Sequence, residues 1–230
     1  MLRLFALSLR LQPGLLPWLQ AQLPDGVRAR IARRRRPADQ HLSLLAHAAL
    51  RHLLAPLLGC VPQELPVRIL PHGKPVLDIA RPDLHFSLSH SGERVLLGIA
   101  DQPLGVDIEA IRRPVAPALV RQCSLPAEQD WLRGDADFYA LWCAKEAALK
   151  QAGTGFSIGP RELALDAHPD LGCGVRSAHP VLDGLRVQSS APEPGYAAAL
   201  CLPAALPSWR IEYMDPVRLP ESRLDRAPET

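Results

Sequence analysis

Twice along this chain a helical pattern runs into a series of short strand-like segments. Ala38 to Leu58 carries Leu42, Leu45, Ala49, Leu53 and Leu57 at spacings of three or four, the signature of a helix with one apolar face. Pro66–Leu70, Phe86–Ser89, Val95–Ala100 and Leu104–Glu109 then read as strands. Helical stretches return at Val115–Gln122, Ala127–Leu132 and Asp137–Ala152, followed by strand-like segments at Glu162–Leu165, Leu185–Ser189, Tyr196–Leu202 and Trp209–Met214. An alternating strand, Leu2 to Arg10, opens the chain, and a basic helix is expected over Val27 to Arg36. Runs of helices and runs of strands predict an α+β fold. The repetition suggests two similar halves, residues 1–102 and 103–214, with a Pro-rich, charged tail over 215–230 expected to be loose.

The 230 residues suffice for a buried core, and 47% hydrophobic content argues against disorder. Charge is uneven. Residues 1–100 hold 13 basic and 6 acidic groups, a balance of +7, whereas the remainder carries 13 and 18, or −5. A basic half facing an acidic half could cradle an anion together with a metal cation, or could be two ordinary solvated surfaces. The five cysteines are scattered and never form a CxxC pair, which argues for inert thiols in a reducing compartment. No targeting segment or membrane span is expected, because the most apolar late stretch, Tyr196–Trp209, is short and broken by Pro203 and Pro207. A cytoplasmic protein is the resulting expectation. The basic residues divide into 23 Arg and only three Lys: Lys74, Lys145 and Lys150. In so Arg-rich a chain, each lysine invites a reason.

Gly105-Val106-Asp107-Ile108-Glu109 places Asp107 and Glu109 on one strand face and Val106 and Ile108 on the other. Adjacent carboxylates repel unless water or a cation intervenes, and a hard divalent cation suits them. The ordinary alternative is a half-exposed strand with a polar face. Phe138 to Lys150 lies in a stretch without Gly or Pro, with Phe138, Leu141, Trp142 and Leu149 as an apolar stripe expected in the core. Glu146 and Lys150 share a helix face at i and i+4. They are either a surface pair worth about 0.3–0.5 kcal/mol or a third carboxylate with its cation. The 37 residues separating Glu109 from Glu146 leave room for a crossover back to the same neighbourhood. Gly73-Lys74-Pro75 sets a point charge in a stiff turn, and Phe86-Ser87-Leu88-Ser89-His90-Ser91 ends a strand with hydroxyls and an imidazole.

In this order, the four segments make the chain resemble the Sfp-type 4′-phosphopantetheinyl transferases over about residues 66–156. Cys123 to Glu128 is similar to that family's Phe-Ser-Pro-x-Glu segment, and Trp142 brings the last motif closer to the Sfp branch than to the enterobactin-type branch. The resemblance implies two α+β halves related by a pseudo-two-fold axis, with the active site at their interface. It implies Mg²⁺ held by Asp107, Glu109 and Glu146, and coenzyme A as co-substrate. Lys74 and Pro75 would line the adenine end, Ser89 and His90 would contact phosphate, and Lys150 would neutralise the pyrophosphate. Glu146 would also take the proton of the attacking serine; Lys145 matches the motif without a defined role. The family tends to place basic residues for the 3′-phosphate in the first helical region, one of them near the start of the helix containing Arg51; here that stretch reads Asp39-Gln40-His41-Leu42, so the charge is sought in Arg33 to Arg36, with Arg36 as the candidate. All three lysines are then expected where a compact cation meets phosphate.

The implied reaction moves the 4′-phosphopantetheine arm from coenzyme A to a serine of an apo acyl or peptidyl carrier protein, releasing 3′,5′-ADP. Ile111, Arg112, Arg113 and Leu119 are expected to offer the acidic carrier a docking surface, and a monomer with no nucleic-acid or membrane partner is expected. Two other classes use some of the same residues. One is a nucleic-acid or anion-binding protein led by Arg28–Arg36; the other is a Mg²⁺-dependent phosphohydrolase with water as nucleophile. The net negative second half and 5% aromatic content disfavour nucleic acid. The chain has no GxSxG elbow and no GxxxxGK[ST] loop.

Overall fold

The computed structural model describes residues 1–9, 13–81, 83–112, 114–203, 208–216 and 219. The first half holds β1 (Leu2–Ser8), α1 (Leu15–Ala21), α2 (Asp25–Ala32), α3 (Pro37–Leu58), a hairpin of β2 (Val67–Ile69) and β3 (Pro75–Leu77), β4 (His85–Ser91) and β5 (Arg94–Ala100). The second holds β6 (Gly105–Ala110), α4 (Pro117–Cys123), α5 (Pro126–Gln129), α6 (Asp135–Ala152), β7 (Leu163–Leu165), β8 (Cys173–Ser177), β9 (Arg186–Ser190), β10 (Tyr196–Leu202) and β11 (Ile211–Met214). The fold is mixed α+β, as the runs of pattern predict. Most of the expected tail lies outside the described residues.

Strand alternation decides the layering. In the sheet β11-β1-β5-β4, Phe5, Leu7, Val95, Leu97 and Ile99 face α3 and join its Leu42, Leu45, Ala49 and Leu53 in one core. Leu4, Leu96 and Ala100 point the other way, onto Val106, Ile108, Ala198 and Leu200 of the second sheet, β6-β10-β9-β8-β7. The far face of that second sheet, with Ala197, Ala199 and Cys201, packs on Ala144, Ala147 and Ala148 of α6. Each long helix therefore covers one sheet, and the two sheets meet through a shared apolar layer. β11, from beyond the expected 102/103 boundary, runs parallel to β1 in the first sheet.

Three elements escape pattern reading. α1 has seven residues with Pro17 inside, too few for a periodic signal; β3 hides in the Pro-rich turn; β8 contains Gly174. The basic helix also ends earlier than expected, at Ala32 rather than Arg36. Pro37 is the first residue of α3, and a residue before proline is pushed out of the helical region, so Arg36 is extended (φ −104°, ψ 128°). Pro56 sits in the last turn of α3, which continues to Leu58.

One glycine sets how closely the catalytic-looking elements approach. A Cβ on Gly105 would lie 1.9 Å from the carbonyl oxygen of Ala147 and 2.5 Å from the amide nitrogen of Gln151, both backbone atoms of α6. No rotamer change relieves such a clash; the helix has to move. Gly105→Ala is expected to cost about 2–3 kcal/mol, read as a lowered urea midpoint, because overpacking displaces α6 from β6. An unchanged midpoint would show that α6 is not held at this distance in solution.

Candidate active site

A cleft of about 470 Å³ opens between α3 and β4 on one side and α6 on the other, with the turn before β3 at its end. Its polar lining is mostly cationic or imidazole: Arg30, Arg34, His47, His72, Lys74, His90 and Lys150 line it, with Glu146 as the acidic exception among the described residues. Such a concentration of positive charge in a concave wall focuses the field on an anion. Burial and the surrounding Arg30, Arg51, His90 and Arg34 lower the His47 pKa to about 4. Burial, followed by Arg34 and Lys150, also lowers His90, whose Nε2 lies 3.4 Å from Ser43 Oγ.

Behind the Glu146 and Lys150 edge of this cleft lie two further acids, Asp107 and Glu109. Asp107 is 2% exposed, and its Oδ1 accepts hydrogen bonds from Ser89 Oγ and Lys150 Nζ, each at 2.7 Å. Glu109 Oε2 accepts from Ser91 Oγ at 2.5 Å, and Trp142 adds a polar contact to the same carboxylate. Trp142 is therefore half-buried beside an acid, whereas Phe138, Leu141 and Leu149 of the expected stripe are buried in the protein. Burial and the charge of Asp107 lift the Glu146 pKa to about 7, and burial also raises Glu109. Lys150 does not form the surface pair with Glu146 that their spacing permits; it crosses to β6 and pairs with Asp107.

Two buried oxygens at this edge, Asp107 Oδ2 and Glu146 Oε1, have no hydrogen-bond partner. Unpartnered oxygens among mutually repelling carboxylates fit a hard divalent cation. Among the described residues, however, no three acidic, His or Cys side chains converge at metal-holding geometry. The expected trio Asp107, Glu109 and Glu146 is thus brought to one edge but not drawn into a ligand set; the Lys150 ammonium on Asp107 supplies the counter-charge instead.

Other expected residues separate. Pro75, His90 and Lys74 line the cleft. The Lys74 ammonium donates to the carbonyls of Leu104 (3.4 Å) and Gln151 (3.0 Å), and burial lowers its pKa to about 8. Ser89 does not face the cleft as a free hydroxyl, because it is bound to Asp107. Arg36 is exposed and outside the lining, while Arg30 and Arg34 are in it. Helix phase explains the difference: α2 carries Arg30 on the cleft side, and the chain has turned away by Arg36. Sequence reasoning also passed over His47; as a lone histidine on a helix with an apolar stripe, it carried no distinguishing signal.

Lys145 overturns the expectation that every lysine meets phosphate. It is fully buried on the opposite side of α6, where Nζ donates to Glu128 Oε2 (2.5 Å) and to the Pro160 carbonyl (2.9 Å). Glu128 is buried as well and accepts from the amides of Leu125 (2.7 Å) and Leu165 (3.1 Å). The pair ties α5, α6 and β7 together. Of the surface residues expected after β6, Arg112 and Leu119 are exposed and Ile111 is half-buried; Arg113 lies outside the described residues. Cys123, Cys143, Cys173 and Cys201 are buried free thiols, with Cys173 pushed up to about 12 by burial.

The sequence profile of the 4′-phosphopantetheinyl transferase superfamily matches residues 103–201, the span from β6 through β10. The 4′-phosphopantetheinyl transferase psf-1 of Bacillus pumilus is 33% identical over 173 residues, 71% of this chain and 71% of that protein. The chain belongs to the 4′-phosphopantetheinyl transferase superfamily. A protein of Synechocystis sp. is 37% identical over 161 residues, 66% of this chain and 65% of its own length. A 4′-phosphopantetheinyl transferase of Bacillus subtilis is 32% identical over 126 residues, 52% of this chain and 55% of that relative. The aligned region thus spans about two thirds of the first of these two relatives and about half of the second. Within the superfamily profile fall Asp107, Glu109, Glu146 and Lys150; the basic wall of α2 and α3 lies before it. Among the described residues, no helix is long and apolar enough to cross a membrane.

Proposed function

We propose that this chain is a phosphopantetheinyl transferase that moves the 4′-phosphopantetheine arm of coenzyme A to a serine of an apo acyl or peptidyl carrier protein. The observation that carries the reading is the acidic edge of a cationic cleft: the unpartnered oxygens of Asp107 and Glu146 lie beside a wall of Arg30, Arg34, Lys74 and Lys150. An anionic cofactor with several phosphates suits that wall, and a hard cation suits that edge. Membership in the superfamily supports the same reaction, and a cytoplasmic site of action is part of this reading.

Chemistry of this kind asks for placement and charge neutralisation rather than for a nucleophile of the protein's own. The carrier serine oxygen forms a bond to the β-phosphorus, the phosphoanhydride bond breaks, and 3′,5′-ADP leaves with the electron pair. Glu146, the carboxylate that lines the cleft, would accept the serine proton. Lys150 places a compact ammonium at the edge where charge accumulates, and Lys74, Pro75 and His90 line the same cleft. Asp107, Glu109 and Glu146 would hold Mg²⁺, which when bound supplies Lewis-acid polarisation of the pyrophosphate.

The class is tested by incubating the protein with coenzyme A, Mg²⁺ and an apo acyl or peptidyl carrier protein, then measuring intact carrier mass. A gain of one phosphopantetheine arm is expected, accompanied by one equivalent of 3′,5′-ADP. Release of 3′,5′-ADP with no carrier mass gain would instead make the chain a phosphohydrolase.

A further inference from the structure

β4 and β6 are the edge strands of different sheets, yet they lie side by side. What joins them is a row of serines. Ser87, Ser89 and Ser91 alternate along β4 and therefore project from one face, toward β6. Ser87 Oγ accepts the amide of Val106 at 3.0 Å, and Ser91 Oγ accepts the amide of Ala110 at 3.2 Å. Hydroxyls thus take the place that carbonyls hold in an ordinary ladder. A β6 edge left unpaired here would strand buried amides, since Val106 is fully buried.

The same row reaches the acids. Ser89 Oγ donates to Asp107 Oδ1 at 2.7 Å, and Ser91 Oγ donates to Glu109 Oε2 at 2.5 Å. Both Ser89 and Asp107 are buried, at 7% and 2% exposure. Each hydroxyl engages one oxygen of its carboxylate. For Asp107 this leaves Oδ2 as the unpartnered atom. A carboxylate held by one oxygen has its plane fixed and its second oxygen presented, which is what support of a metal ligand requires. The three serines thereby divide into one that bonds backbone alone, Ser87, and two that bond carboxylates.

We infer that Ser89 and Ser91 are positioning residues that orient Asp107 and Glu109 for a divalent cation, making the β4 strand of one half a support for the acids of the other. The inference rests on the transferase reading for the identity of the cation, and it assigns to Ser89 a role other than direct phosphate contact. Ser91 has two jobs, because its hydroxyl also receives the Ala110 amide; its loss frees a carboxylate and a backbone donor together.

The test is Mg²⁺ binding to the full chain by titration calorimetry, with and without saturating coenzyme A, alongside thermal unfolding. Ser89→Ala and Ser91→Ala are each expected to weaken Mg²⁺ binding and raise the Mg²⁺ concentration for half-maximal transfer by about 10–100-fold. The KM for coenzyme A at saturating Mg²⁺ should stay within about threefold, and Ser89→Thr, which keeps the hydroxyl, should restore most of the Mg²⁺ affinity. Ser87→Ala, which removes only a backbone contact, should lower thermal stability without changing the Mg²⁺ requirement. Mg²⁺ affinity within twofold of wild type in both alanine variants would overturn the inference, as would equal effects of Ser87→Ala and Ser89→Ala. Failure of the wild-type protein to bind Mg²⁺ even with coenzyme A present would overturn the cation assignment and this inference with it, whereas absence of carrier mass gain would remove the transferase reading, so the two failures are told apart.

Discussion

Asp107→Ala and Glu146→Ala are each expected to lower transfer to an apo carrier protein by about a thousandfold or more, equivalent to about 4 kcal/mol of transition-state stabilisation. Asp107 contributes one of the two unpartnered buried oxygens at the cleft edge and anchors Lys150, so its removal loses a cation ligand and releases the ammonium. Glu146 contributes the other and lines the cleft itself. The measurement is the initial rate of carrier mass gain at saturating coenzyme A, with far-ultraviolet circular dichroism confirming the fold. Neither variant should unfold. Removing Asp107 relieves a like charge beside Glu146 and Glu109, and Lys150 is partly exposed and can rehydrate. Turnover near wild type in either variant would withdraw that residue from the site.

The second large effect is on stability. Lys145→Met is expected to cost about 3–5 kcal/mol, because it leaves the Glu128 carboxylate charged and buried with two backbone amides but no cation. Glu128→Leu should cost a similar amount for the mirrored reason: the Lys145 ammonium would retain the Pro160 carbonyl alone. The pair Lys145→Met with Glu128→Leu should recover a large part of the loss, since apolar side chains of similar volume carry no charge to desolvate. Urea unfolding of the four proteins reads this directly. Additive single effects would mean that the two residues act independently, and the account of α5, α6 and β7 as one tied unit would fall. The helix that carries Glu146 and Lys150 is held on its other side by this pair, so the single variants should also weaken transfer through displacement of α6.

How much of this was legible beforehand differs from element to element. The α6 helix, the strand carrying Asp107 and Glu109, and the meeting of these elements around Glu146 all have local signatures: a run without breakers, a period of two, and paired carboxylates that demand compensation. By contrast, Lys145 and Lys150 sit five residues apart in one motif and look alike in composition. Their fates are opposite because five residues on an α-helix turn the side chain far round the axis, toward Glu128 for one and toward Asp107 for the other. Ser89 offered a hydroxyl that could have met a phosphate; only the neighbouring strand reveals that Asp107 takes it. Arg36 lies outside the cleft lining that Arg30 and Arg34 join, because Pro37 turns the chain at that point.

The sequence by itself carried the α+β class and the order of the motifs, since helix and strand periodicity act over a few residues; the acids proposed for the site entered through the family resemblance. Tertiary structure alone decided which side chains share a partner. The close approach of α6 to Gly105, the serine row between edge strands, the Lys145–Glu128 pair and the cleft side of α2 each join residues distant in sequence. Those contacts depend on how two sheets and two helices pack, which no short window of sequence encodes. The three lysines show the division plainly. Composition marked all three as unusual, and packing alone separated Lys74 and Lys150, which face the cleft, from Lys145, which holds the helix in place.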